Sequence, residues 1–107
     1  MINPSKSDWK RYQQKIGKWQ ERYIEKLVLE YADYLRSDLP ASVKFWELEK
    51  RIKRDKKNPG VLIEVSKSEM LWDIVRLLRI GVISIEDLVD FSEDLKKEVE
   101  DKSGLSN

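Results

Sequence analysis

The amino-acid sequence predicts an all-α fold, a small bundle of about four helices with a long N-terminal helix and a C-terminal αα-hairpin. Three observations carry this. Apolar residues recur at steps of three and four through most of the chain, which is the period of a helical face and not of a strand. The strong breakers fall at Leu39-Pro40, Asn58-Pro59-Gly60 and Gly81, so the segments between them are long enough to be helices. β-branched residues cluster in one short segment, Val61-Leu62-Ile63-Glu64-Val65, and no second segment of that kind exists to pair with it.

The first helix is expected from a cap at Ser7 or Asp8 to about Asp38. Its face reads Trp9, Tyr12, Ile16, Trp19, Tyr23, Leu27, Tyr31 and then Tyr34 or Leu35. Gly17 costs about 1 kcal/mol of helix propensity relative to alanine, which leaves both a straight helix and one bent at Gly17 open. Leu39-Pro40 ends the helix, because the residue before a proline is pushed out of the helical region while proline suits the next first turn. The second helix is expected to bury Phe45, Leu48 and Ile52 and to carry Lys50, Lys53, Arg54 and Lys57 on another face. Pro59 and Gly60 suit the central positions of a type II turn, and residues 61–65 then read as an extended, partly buried connector, the alternative being a strand paired across a dimer.

Ser66 with Glu69, and Ser84 with Asp87, have capping-box spacing, each bracketed by a hydrophobic staple pair, Val65 with Met70 and Ile83 with Leu88. Between them Met70, Leu71, Ile74, Val75, Leu77 and Leu78 make the third helix apolar around much of its circumference, so it is expected at the centre. Gly81 is placed to end it in the left-handed conformation. The fourth helix is expected to present Leu88, Phe91 or Ser92, Leu95 and Val99 inward. The chain reads as one domain, 1–107, with fraying expected at 1–6 and 103–107.

Composition narrows the chemistry. Cysteine and histidine are both absent, so disulfides, thiolate or imidazole metal sites and Ser-His or Cys-His nucleophile systems are excluded on inventory. The four glycines are isolated from one another and form no phosphate cradle. The carboxylates from Glu86 to Asp101 lie on helix and not in an EF-hand loop. The same acidic residues, Glu86, Asp87, Asp90, Glu93 and Asp94, argue against a helix-turn-helix reading of the Gly81 turn, because they would repel the phosphate backbone. No enzyme, cofactor or metal is expected. The first eight residues lack the apolar stretch of a secretory signal, and Asp73, Arg76 and Arg79 interrupt the most apolar segment, so a cytoplasmic protein without a membrane span is expected.

Net charge is +1, yet the halves differ: through Gly60 there are 15 Lys and Arg against 9 Asp and Glu, and from Val61 onward 6 against 11. A first helix of some 32 residues would reach about 45 Å, against about 24 Å for the others, so the short helices cannot cover all of its apolar stripe. Trp9, Tyr12, Ile16, Trp19 and Tyr23 are therefore predicted as an interaction face for a second copy or another protein. The expected function is a non-catalytic, homo-oligomeric interaction or adaptor module. The alternative is a small nucleic-acid accessory protein using basic faces of the first two helices, with Lys50, Lys53, Arg54 and Lys57 as polyanion contacts.

Overall fold

The structure, a computed structural model, describes residues 5–104. It is all-α, with four helices: α1 (Lys6–Leu35), α2 (Ala41–Asp55), α3 (Met70–Arg79) and α4 (Glu93–Ser103), and a short 3₁₀ turn at Ile85–Leu88. Residues 62–66 are an irregular connector, as expected from the lack of a pairing partner. The parts of the expected frayed ends at 1–4 and 105–107 lie outside the described residues. Helix α1 runs unbroken through Gly17 and starts two or three residues earlier than the sequence suggests, because Ser5 and not Ser7 or Asp8 caps it: the Ser5 Oγ accepts the Asp8 N–H at 3.1 Å.

The core is built from the first half of α1 and the α3–α4 hairpin. Tyr12, Ile16 and Trp19 pack with Met70, Ile74, Leu77, Leu88, Phe91, Leu95 and Val99 in one buried cluster, against which Trp9, Tyr23 and Ile63 are partly buried. The centroids of Trp19 and Phe91 lie 6.1 Å apart. Helix α3 is the most enclosed element, as its apolar circumference implies. Gly81, with φ of 83°, ends it by allowing Val82 N–H to reach back to the Leu77 carbonyl at 2.9 Å. Polar contacts frame the seam between α1 and the hairpin: Arg22 meets Asp87 with both nitrogens at 2.8 and 2.9 Å, and Lys15 meets Asp90 at 3.1 Å.

Two of the expected helix starts are corrected. Ser66 caps nothing, since its hydroxyl lies 3.0 Å from that of Ser68 and α3 begins four residues later with no side-chain cap. The Ser84–Asp87 box does form, with the Asp87 carboxylate accepting the Ser84 N–H at 2.8 Å, but it heads the single 3₁₀ turn. Helix α4 starts instead at Ser92, whose Oγ accepts the Leu95 N–H while donating to Asp8 Oδ2 at 2.6 Å. Asp8 also accepts the Ser92 N–H at 2.9 Å, so a carboxylate from α1 sits at the positive end of α4. Ser92→Ala is therefore expected to cost about 0.5–2 kcal/mol, as loss of a cap does, and Ser66→Ala about 0.5 kcal/mol or less. Urea titrations of the two variants check the assignment.

The turn after α2 is also not of type II. Gly60 does not adopt the left-handed φ that such a turn requires at its third position. Instead Asn58 folds the chain, its Oδ1 accepting Gly60 N–H at 2.7 Å and its carbonyl accepting Val61 N–H at 2.9 Å. Glycine is needed for space: a Cβ there would stand 2.6 Å from Tyr23 Cδ2 and 2.7 Å from Val82 Cγ2. The close approach seats the connector on the core.

Helix α2 does not lie alongside the α3–α4 hairpin. It runs back antiparallel to the second half of α1, and these two helices form an arm that extends from the core, giving the molecule principal extents of 52 × 28 × 20 Å. No residue of α2 is fully buried. The expected inward stripe is corrected accordingly. The face turned to α1 carries Lys44, Arg51 and Asp55: the Arg51 guanidinium stacks 4.1 Å above the Tyr34 ring, Tyr31 donates to Asp55, and Lys44 donates to the Leu35 and Ser37 carbonyls at 2.9 and 3.0 Å. Burial, followed by the hydrogen bond to Asp55, pushes the Tyr31 phenol up to about 12. Phe45 and Ile52 lie about a quarter turn away from this face and are left in solvent.

Candidate interaction surface

The structure divides the predicted aromatic face and corrects its role. Tyr12 is 0% exposed and Trp19 4%, Ile16 is buried with them, and Trp9 and Tyr23 rest against the core. The stripe is internal because the α3–α4 hairpin covers the first half of α1, not the second, and no bend at Gly17 is needed to achieve this. Tyr23 is further held by Asn58, which donates to its hydroxyl at 3.1 Å.

The uncovered apolar surface lies instead on the arm. Val28 and Leu35, seven residues apart, share a strip of α1, while Phe45 and Ile52, seven apart, share a strip of α2. With α1 and α2 antiparallel and meeting through Tyr31, Tyr34, Arg51 and Asp55, a helical period of 3.6 residues turns both strips to the same side of the arm. Phe45 is 63% exposed, and with Leu48, Ile52, Glu49, Lys53 and Lys56 it lines a shallow groove of ≈ 360 Å³. Leu39, at the tip, is exposed as well. Glu21 and Glu25 border this side along α1, and Lys53 and Lys56 border it along α2.

Periodicity alone missed these residues, yet a signal for them is present. Phe45 and Trp46 are adjacent in a helix, about 100° apart, so both cannot face one neighbouring helix. Their rings pack edge to face at 4.9 Å, and both remain in water. The predicted polyanion contacts Lys50, Lys53 and Arg54 are exposed on α2, and Lys57 on the turn that follows it, on the side of the helix away from α1.

Titratable chemistry concentrates at one buried point. Asp73 is 5% exposed, its Oδ2 has no hydrogen-bond partner among the described residues, and the Tyr12 hydroxyl is equally unpartnered. Burial pushes the Asp73 carboxyl above its ordinary range; Arg76, 3.7 Å away, opposes the shift and Glu69 adds to it. Burial, together with the Asp73 charge, pushes the Tyr12 phenol upward. No group of three metal-ligating side chains converges among the described residues. A folded-state carboxyl raised above its unfolded value stabilises most below that unfolded value and loses the contribution as pH rises through the folded one. Asp73→Asn, which removes the buried charge and keeps a polar group of the same shape, is therefore expected to raise stability at neutral pH, with the gain vanishing toward pH 3. Denaturant titrations across that pH range measure it.

No protein-family model matches the chain, and no curated protein or solved structure matches it either. No helix among the described residues is long and apolar enough to cross a membrane.

Proposed function

We propose that the protein is a non-catalytic helical interaction module that self-associates through the apolar side of its α1–α2 arm. One observation carries this reading: a two-helix arm, held off the core, presents Val28, Leu35, Phe45 and Ile52 together, with no third layer over them among the described residues. The helix pair buries Leu27 and joins through Arg51, Asp55, Tyr31 and Tyr34, which leaves Val28, Leu35, Phe45 and Ile52 turned outward. Covering that side with apolar surface removes it from water at about 25 cal/mol per Å².

The rim charges favour a second copy as the cover. A two-fold axis running along the arm sets α1 of each copy against α2 of the other, so the acidic border of Glu21 and Glu25 faces the basic border of Lys53 and Lys56 twice. The product is a four-helix packing with the two cores at its flanks. Light scattering over a micromolar concentration series is expected to give twice the single-chain mass. Phe45→Glu with Ile52→Glu is expected to return the single-chain mass while leaving circular dichroism unchanged, and the thermal midpoint unchanged at low protein concentration where association is suppressed, since neither side chain is buried in the monomer. A wild-type protein that keeps the single-chain mass throughout the series overturns the proposal.

A further inference from the structure

Helix α2 has another surface, on the side away from α1, which shares only Lys53 with the border of the proposed arm-to-arm packing. Trp46, Lys50, Lys53 and, in the turn after the helix, Lys57 succeed one another at steps of four, three and four, a single strip about 16 Å long, with Arg54 beside it. From Ala41 to Lys57 the chain carries seven cationic side chains against three anionic ones. Glu49 reaches Lys53 only at 3.8 Å and Arg54 pairs with its neighbour Asp55, whereas Lys50 and Lys57 have no ion pair among the described residues. The helix dipole accounts for cations in the last turn. It does not account for Lys50 in mid-helix, nor for a tryptophan 62% exposed at the head of the strip with its ring steadied edge to face by Phe45.

We infer that this strip binds single-stranded nucleic acid without sequence preference, Trp46 stacking on an unpaired base while Lys50, Lys53, Arg54 and Lys57 follow the phosphates. An exposed indole next to a row of cations suits a strand whose bases are free to stack. A paired base offers no face to it. Side chains that read base edges are missing from the strip, and the nearby Asn58 is already engaged with Tyr23 and Gly60, so contacts to the backbone and one ring face are what remain. The surface belongs to the arm and not to the core, and the inference does not rest on the self-association reading: a monomer presents the whole strip, and Lys53 alone is common to the two surfaces.

The test is fluorescence anisotropy with a labelled oligothymidylate and the intact protein. Binding is expected at low salt, with the logarithm of the affinity falling against the logarithm of salt at a slope of about −3 for four phosphate contacts to a single strand. Lys50→Glu, Lys53→Glu and Lys57→Glu together should abolish it with helical circular dichroism kept. Trp46→Ala should weaken it roughly tenfold or more while leaving the salt slope unaltered, because stacking, and not charge, is lost. A duplex of the same length should bind more weakly. No anisotropy change at low salt overturns the inference. Equal binding of single strand, duplex and anionic phospholipid vesicles, indifferent to Trp46→Ala, also overturns it, by showing that charge attraction alone is at work.

Discussion

Trp19→Ala is expected to destabilise the protein by about 3–5 kcal/mol, the cost of emptying a buried tryptophan site. Trp19 is 4% exposed and packs on Tyr12 and Phe91, at centroid distances of 6.2 and 6.1 Å, so its removal opens a void between α1 and the hairpin that neither side can collapse to fill. The loss is comparable to the whole stability of a small domain. A denaturant titration followed by circular dichroism is expected to show a much lower midpoint, and a variant that remains folded with a midpoint near wild type would place Trp19 at a surface. Trp46→Ala in the same assay should change the midpoint little, because that ring lies in water.

The contrast marks where sequence reasoning succeeds. Periodicity establishes that Trp9, Tyr12, Ile16, Trp19 and Tyr23 share a face, that Met70 to Leu78 are wrapped by other elements, and that Gly81 must turn left-handed. Each follows from local spacing or from a single residue's conformational freedom. Periodicity does not say which element covers a face. Helix α1 is longer than its partners, as its apolar stripe requires, but the choice of which half stays bare rests with the connector. Gly60 and Asn58 seat that connector beside Tyr23, which brings α3 and α4 over the first half. The α2 stripe misled for a related reason: Arg51, Asp55 and Lys44 look like solvent residues in a hydropathy pattern, although a guanidinium stacked on Tyr34 and a carboxylate bonded to Tyr31 dock a helix through polar groups. The cap at Ser92 was hidden by an apolar series, Leu88, Phe91, Leu95 and Val99, that runs across the break without losing phase.

Leu77→Ala should cost about 2–5 kcal/mol, whereas Phe45→Ala should cost about 0.5 kcal/mol or less. Both are large apolar residues on helical stripes, but Leu77 is 0% exposed and Phe45 stands in water on the arm. Thermal denaturation at low protein concentration, where association is suppressed, separates the two effects. A Phe45→Ala variant as unstable as Leu77→Ala would mean that the arm is part of the core. At high concentration the Phe45 variant should also lose whatever stability dimerisation adds by mass action.

The bond between Asp8 and Ser92 joins the beginning of the first helix to the beginning of the last, and it has a consequence for the order in which the molecule is made. Helices α1 and α2 are neighbours along the chain and can pair as soon as both have been synthesised. The aromatic stripe of α1 has no such neighbour. Its cover, ending at Val99, follows Trp19 by roughly 80 residues, which at about 5–20 residues per second is a delay of about 4–16 s. Throughout that interval the growing chain lacks the cover for Tyr12, Ile16 and Trp19, so the two helices of the arm can meet before the core is able to close.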